Sequence, residues 1–247
     1  MGVRMGRNSV VPEKKRLNKM GKVFFTEKAM TIDKEQMLMV VREAIDYVRG
    51  PRALEMGYTG RGWTDALLQK KIHLTVMEGS VENIRHAREK YGDSLDVRHM
   101  LFEELDSQEE YDTVLMSCIL EHVQDPVCVL KKVRRSLKKD GTVVIIVPNK
   151  MSLHRRIGYH MKMIKSFDEL APQDIEVGHR RHYDTESMLQ DMCRAGFDGR
   201  FEKGIFLKPL SSDKMMTWPR EMLWAFNEVG RYLPEWSAFL LFTASKK

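Results

Sequence analysis

Between residues 50 and 150 short apolar runs alternate with stretches of helical periodicity, and this alternation limits the folds open to the chain. Strand-length runs fall at Ala53–Gly57, Ile72–Glu78, Leu95–Leu101, Tyr111–Ser117 and Gly141–Val147. Helical patterns occupy Thr64–Lys71, Ser80–Tyr91 and Pro126–Lys138, with Ser80 as a cap and Pro126 in a first turn. Strands joined through helices run parallel, because a parallel pair needs a long crossover. The pattern therefore predicts an α/β fold with helices on both faces of the sheet. Gly141–Val147 is the most apolar run and belongs at the sheet centre. Upstream, Met37, Val40, Val41, Ala44, Ile45 and Val48 predict a helix from Asp33 to about Val48, ended by Gly50-Pro51.

The second half reads differently. Residues 149–183 carry no strand signal, and Thr185–Ala195 predicts a helix closed by Gly196. Phe201–Leu207 and Ala238–Ala244 predict two late strands, for seven in all, with a helical Met- and Trp-rich insertion over Ser211–Leu233 between them. The net charge is +6, but residues 1–28 hold eight Lys/Arg against two Asp/Glu and the rest of the chain is balanced. A globally basic nucleic-acid-binding body is thereby excluded. The reading is a flexible basic arm over 1–28 and one domain over 29–247.

Other classes fall on simple grounds. No apolar run approaches a membrane span. The basic start lacks the apolar core of a secretory signal, and Gly6 stands where acylation needs Ser or Thr. Cys118, Cys128 and Cys193 are odd in number and widely spaced, which fits a reduced, cytoplasmic setting. Neither His-Glu-x-x-His nor Cys-x-x-Cys occurs, so no essential metal is expected.

Leu54-Glu55-Met56-Gly57-Tyr58-Thr59-Gly60-Arg61-Gly62 follows the first strand and opens a helix. Glycines there let backbone turn sharply and approach a ligand. Glu78 ends the second strand 21 residues after Gly57, where an acid can accept from nucleoside ribose hydroxyls. Taken alone, the same residues also describe a tight turn and a loop acid.

These segments come in a specific order: Glu55-x-Gly57, Glu78, Tyr111–Leu115, Leu120-Glu121-His122-Val123-Gln124-Asp125-Pro126, Leu137–Gly141 and Val147-Pro148-Asn149. As a set they resemble the class I S-adenosylmethionine-dependent methyltransferases, in particular the small-molecule branch near the ubiquinone-biosynthesis type. The resemblance implies a Rossmann-like sheet of order 3-2-1-4-5-7-6 with strand 7 antiparallel, and S-adenosylmethionine as cofactor. It implies that Glu55, Gly57, Tyr58 and Gly60 meet the methionyl and ribose parts, and that Glu78 holds the ribose hydroxyls. Gly79, Leu101, Phe102 and Glu103 would surround the adenine; Ser117 would offer its backbone after strand four, with Glu121 and His122 close to the methyl group. Thr59 and Arg61 depart from the family's Glu-x-Gly-x-Gly-x-Gly, which predicts a reshaped or weakened loop.

After the fifth strand, the family places chain over the substrate. His154, His160, His179 and His182 cluster in 150–183 with Arg155-Arg156 and Arg180-Arg181. The Arg pairs, with Asn149, would grip an anionic group of the substrate. His182, His179, His122 or Tyr183 would take a proton from an acceptor. The same residues also suit solvated arginines and histidines that cap or pack loops. The 211–233 stripe suits a substrate lid, a core contact or a homodimer contact. The function implied is methyl transfer to an oxygen, less readily a nitrogen, of a small anionic metabolite, such as a phosphorylated or nucleotide-linked sugar or a natural-product intermediate. An RNA or protein methyltransferase and a non-catalytic module with a degraded loop are the competing readings.

Overall fold

The computed structural model describes residues 13–18 and 32–247. Seven strands form one sheet: β1 Arg52–Met56, β2 His73–Glu78, β3 Asp96–His99, β4 Tyr111–Ser117, β5 Leu137–Pro148, β6 Phe197–Ile205 and β7 Phe239–Lys246. Their order is β3-β2-β1-β4-β5-β7-β6, with β7 antiparallel to both neighbours and the other pairs parallel. This is the expected sheet. β4 and β5 lie at its centre, and Val143–Val147 are fully buried. Each such side chain contributes roughly 1.5–3 kcal/mol relative to exposure.

The main helices are α1 Ile32–Ala44, α2 Trp63–Gln69, α3 Val81–Tyr91, α4 Pro126–Ser136, α5 Leu153–His160, α6 Pro172–Glu176, α7 Thr185–Arg194, α8 Ser212–Met215 and α9 Arg220–Gly230. Two apolar clusters cover opposite faces of the sheet. One contains Val40, Trp63, Leu67 and Leu241, the other Val129, Val133, Met188 and Phe242. Ser80 Oγ accepts from the Asn83 amide, the expected cap, and Asp125 Oδ1 accepts from the Cys128 amide, a cap the sequence reading did not name.

Several boundaries moved. β6 starts at Phe197 rather than Phe201, directly after Gly196 turns the chain with φ +85°. Asp198-Gly199-Arg200 shows no apolar pattern because β6 is an edge strand, paired only to β7. β5 starts at Leu137, four residues early, with a register shift opposite Tyr111/Thr113. The first helix ends at Ala44 and continues as a 3-10 turn over Ile45–Tyr47.

The arm expected over 1–28 needs correction where it is described. Residues 13–18 are helical and packed on the domain. Arg16 donates to the carbonyls of Gly178 and His122, Glu13 pairs with Arg180 at 3.0 Å, and Asn18 Oδ1 accepts from the Val81 amide at the start of α3. The rest of that arm lies outside the described residues. The 211–233 insertion is helical as expected. It packs on α1 through Arg220 and Trp224, which both donate to Glu35, and through Asn227, which donates to Glu43. Among the described residues, no helix is long and apolar enough to cross a membrane.

Gly204 in β6 marks the tightest packing against the segment before β7. A Cβ there would lie 2.0 Å from the Pro234 carbonyl oxygen. Gly204→Ala should cost about 1–3 kcal/mol through overpacking, read as a lower urea midpoint at unchanged slope.

Candidate active site

A cavity of about 330 Å³ opens where the carboxyl ends of β1, β2, β4 and β5 meet, at the point where the strand order reverses. Backbone ends and helix starts converge there, leaving polar groups around a space the core does not fill.

One wall is the loop from β1 to α2. Gly57, Gly60 and Gly62 all take left-handed φ values of +84°, +66° and +109°. The displaced glycines thus carry the turns, while Thr59 and Arg61 line the cavity in ordinary conformations. At Gly57 an added Cβ would stand 2.6 Å from Ile119 Cδ1, and φ +84° strains any other residue there.

Two buried acids hold this wall. Glu55 Oε2 accepts from Thr64 Oγ1 at 2.8 Å, and burial pushes its carboxyl up to about 8. Glu78 accepts from the Tyr58 amide (2.9 Å), the Ser80 amide (2.6 Å) and Asn83 Nδ2 (3.2 Å). It therefore ties the glycine loop to the start of α3. Burial raises its pKa, and those three donors oppose the shift. The Gly79 amide adds to these donors; a carboxylate offers about four acceptor sites, so the protein engages most of the capacity of Glu78. Asn83 Oδ1 is buried beside it, lines the cavity and has no hydrogen-bond partner.

Tyr58, Phe102, Ser117 and His122 also line the cavity, as expected. Gly60, Gly79, Leu101 and Glu103 do not. Gly79 is overlaid by Leu17 of the 13–18 helix. A Cβ on it would lie 2.6 Å from Leu17 Cδ1 and 3.1 Å from Leu101 Cδ2.

The opposite wall brings together Glu121, His122, His154, Arg155, Asp174, His179, His182 and Lys208. Asp174 sits between the two later histidines, 3.3 Å from His179 Nδ1 and 3.3 Å from His182 Nε2. Burial opposes its ionisation, but these histidines and the Ala171 amide hold its carboxyl well below the usual range. Glu121 is fully buried, which pushes it up to about 7. Burial, and then the neighbouring His179, drives His122 down to about 3, and burial does the same to His154. Both rings are neutral at pH 7, and His122 is too weak a base for the proton-accepting role expected of it. His179 and His182 both reach the cavity.

The expected arginine grip is largely absent. Arg181 donates to the carbonyls of Leu120, Val123 and Gln124, clamping the loop after β4. Arg180 binds the His122 carbonyl and Glu13. Arg156 donates to the Met151 carbonyl and lies over the Trp236 ring at 4.6 Å. These three lie outside the cavity lining; their fork-shaped donors satisfy buried carbonyls instead. Arg155 does reach the cavity, held by the Phe167 and Glu169 carbonyls and by Asp174. Asn149 lines it too, yet its side chain is fully engaged. Nδ2 donates to the Glu235 and Ser237 carbonyls, and Oδ1 accepts from the Met151 amide. Tyr183 is corrected as well. Its hydroxyl donates to Asp191, burial raises its pKa, and it packs in the apolar cluster away from the cavity.

Sequence reading missed Asn83, Asp174, Lys208 and Leu17. Asp174 stood beside the histidine cluster and offered a signal. Lys208, half-buried with Nζ donating to Ser212 Oγ, offered none.

A family model described as a methyltransferase domain matches residues 17–200. The chain therefore belongs to that family, the class I S-adenosylmethionine-dependent methyltransferases. No curated protein matches the sequence. Solved structures share the fold. One is in the complex between the Haloferax volcanii Trm112 methyltransferase activator and a methyltransferase (TM-score 0.63, 16% identity, 96% of this chain, 97% of that one). Another is a Thermotoga maritima S-adenosylmethionine-dependent methyltransferase (0.57, 21%, 97% and 97%). A third is the Burkholderia thailandensis 1,6-didemethyltoxoflavin-N1-methyltransferase, solved with S-adenosylhomocysteine (0.54, 14%, 93% of that chain and 100% of this one).

The Arg181 clamp has a measurable consequence. Arg181→Ala strands three carbonyl acceptors and should lower unfolding free energy by about 1–3 kcal/mol, measured by urea denaturation.

Proposed function

We propose that the protein transfers the methyl group of S-adenosylmethionine to an oxygen of a small anionic acceptor. The observation that carries this reading is the buried Glu78–Asn83 pair at the glycine loop. Glu78 is held by protein donors on the loop, and Asn83 Oδ1 beside it is buried without a partner, open to a ribose hydroxyl. Glu55 faces the cationic amino group of the methionyl part, with Arg61 near its carboxylate and Phe102 against the adenine. In this reading residues 50–150 hold the cofactor, and 150–183 with the 211–233 insertion frame the acceptor, within one domain over 29–247.

The bound cofactor supplies a methyl group made electrophilic by its sulfonium. The residues on the opposite wall then need only align the acceptor oxygen and take its proton. His179 and His182, oriented by Asp174, are placed to do so. The anionic part of the acceptor meets Lys208 and Arg155, the cations that reach the cavity from the segments after β5. The grip expected of two Arg pairs thus passes to one arginine and one lysine. Leu17 at the rim of the cavity favours a small acceptor over a polymer.

Calorimetry with S-adenosylhomocysteine tests the cofactor half. Glu78→Ala should weaken binding at least about 10-fold, as expected for loss of charge-assisted hydrogen bonds; unchanged affinity would remove the ribose assignment. Glu55 adds a pH dependence. Its pKa near 8 leaves it mostly protonated at pH 7, whereas a cationic ligand prefers the ionised form. Affinity should therefore rise about 5-fold from pH 7 to pH 8, with proton release on binding. Glu55→Gln should flatten that rise.

A further inference from the structure

We infer that Glu121, His122 and His179 form a site for one divalent first-row transition-metal ion, set in the acceptor wall of the cavity. One donor atom from each residue lies within 4.8 Å of the other two. Ligands at 2.0–2.2 Å from an ion stand about 3–3.5 Å apart, so modest side-chain rotation closes the set.

The decisive feature is a group of polar atoms that nothing else satisfies. Glu121 is 1% exposed, and neither of its oxygens accepts a hydrogen bond of normal geometry. The Cys118 thiol is its one side-chain neighbour of that kind, and thiols are weak donors. His122 Nδ1 is likewise buried without a partner. Buried polar atoms in folded proteins are nearly always paired, and a carboxyl with two orphaned oxygens is costly. Two imidazoles and one carboxyl group are a donor set suited to Zn, Fe, Co or Mn.

The surroundings fit an ion rather than a chance vacancy. Asp174 Oδ1 stands 3.3 Å from His179 Nδ1, which leaves Nε2 of that ring for the ion and orients it from behind. The His122 and His179 rings meet edge to face at 4.8 Å between centroids. Arg181 and Arg180 pin the carbonyls of residues 120–124, so two of the three ligands sit on a fixed loop. A second grouping, Asp174 with His179 and His182, shares one histidine. Asp174, however, already has the Ala171 amide and Arg155 as partners, so it serves as support.

An ion here would face the acceptor. It would bind an acceptor oxygen directly, lower the pKa of its hydroxyl and hold it toward the cofactor end. That role rests on the methyl-transfer reading; the binding of the ion does not. The substrate class narrows accordingly to acceptors with a ligating hydroxyl.

The test uses the full chain, stripped with chelator and titrated with Co²⁺ under visible absorption and with Zn²⁺ by calorimetry. One equivalent of Co²⁺ with ligand-field bands is expected. Glu121→Gln, which keeps the shape of the side chain, and His179→Ala should each weaken the ion by at least about 10-fold, and Asp174→Asn by about 10-fold as a supporting group. Thermal melts show whether each variant is folded. No ion bound by the folded parent protein at about millimolar Co²⁺, a hard limit for a built site, would overturn the inference. So would equal binding by parent and both ligand variants. S-adenosylhomocysteine binding is measured alongside. Its absence, with the ion bound, would sink the methyltransferase reading and leave the ion site standing.

Discussion

The parallel pairing of β1, β4 and β5 is the constraint on which the rest depends. Strands buried on both faces must place every amide and carbonyl in the ladder, and parallel neighbours must start at the same edge. Their carboxyl ends therefore finish together, and the loops that leave them cannot fill the gap where the order reverses. Glu55 lies next to the end of β1, Glu78 ends β2, and Glu121 follows β4. All three acids thus become buried at one place by the geometry of the sheet, rather than by any local preference.

Burying acids together is unfavourable unless each has a partner, and the three differ in how this is met. Glu78 has protein donors and serves as a strut between the glycine loop and α3. Glu55 has one donor, Thr64, and a pKa raised to about 8. On Glu121 neither oxygen accepts a hydrogen bond of normal geometry. That gradient, from satisfied to orphaned, runs from the glycine-loop wall of the cavity to the wall that carries the histidines. Clustering of perturbed acids and histidines in a concave site is what catalysis requires and what stability alone would avoid.

The arginines show the opposite economy. Four of them cluster in the segment after β5, and from the sequence they look like an anion trap. In the fold three of them hold carbonyls that would otherwise be stranded in loops 120–124 and 149–151. A loop that leaves a buried strand without regular structure exposes more acceptors than donors, and the guanidinium is the side chain with enough N–H groups to meet several at once. These residues shape the pocket without touching what it holds.

Periodicity by itself determined the seven strands, their parallel start and the place of Gly141–Val147 at the centre, because burial on both faces demands unbroken apolar runs. The spacing of Glu55, Gly57 and Glu78 located the cofactor wall, since the strand–turn–helix unit fixes that distance locally. Edge strand β6 was read four residues late, because an edge makes little demand on composition. Tertiary structure decided the acceptor wall. Whether His122, His179, Arg181 or Lys208 faces the cavity or a carbonyl depends on contacts between segments far apart in the chain, such as Arg180 with Glu13 and His179 with His122. Burial, which only the assembled fold confers, lowers the pKa of His122 and leaves both Glu121 oxygens without a hydrogen bond of normal geometry.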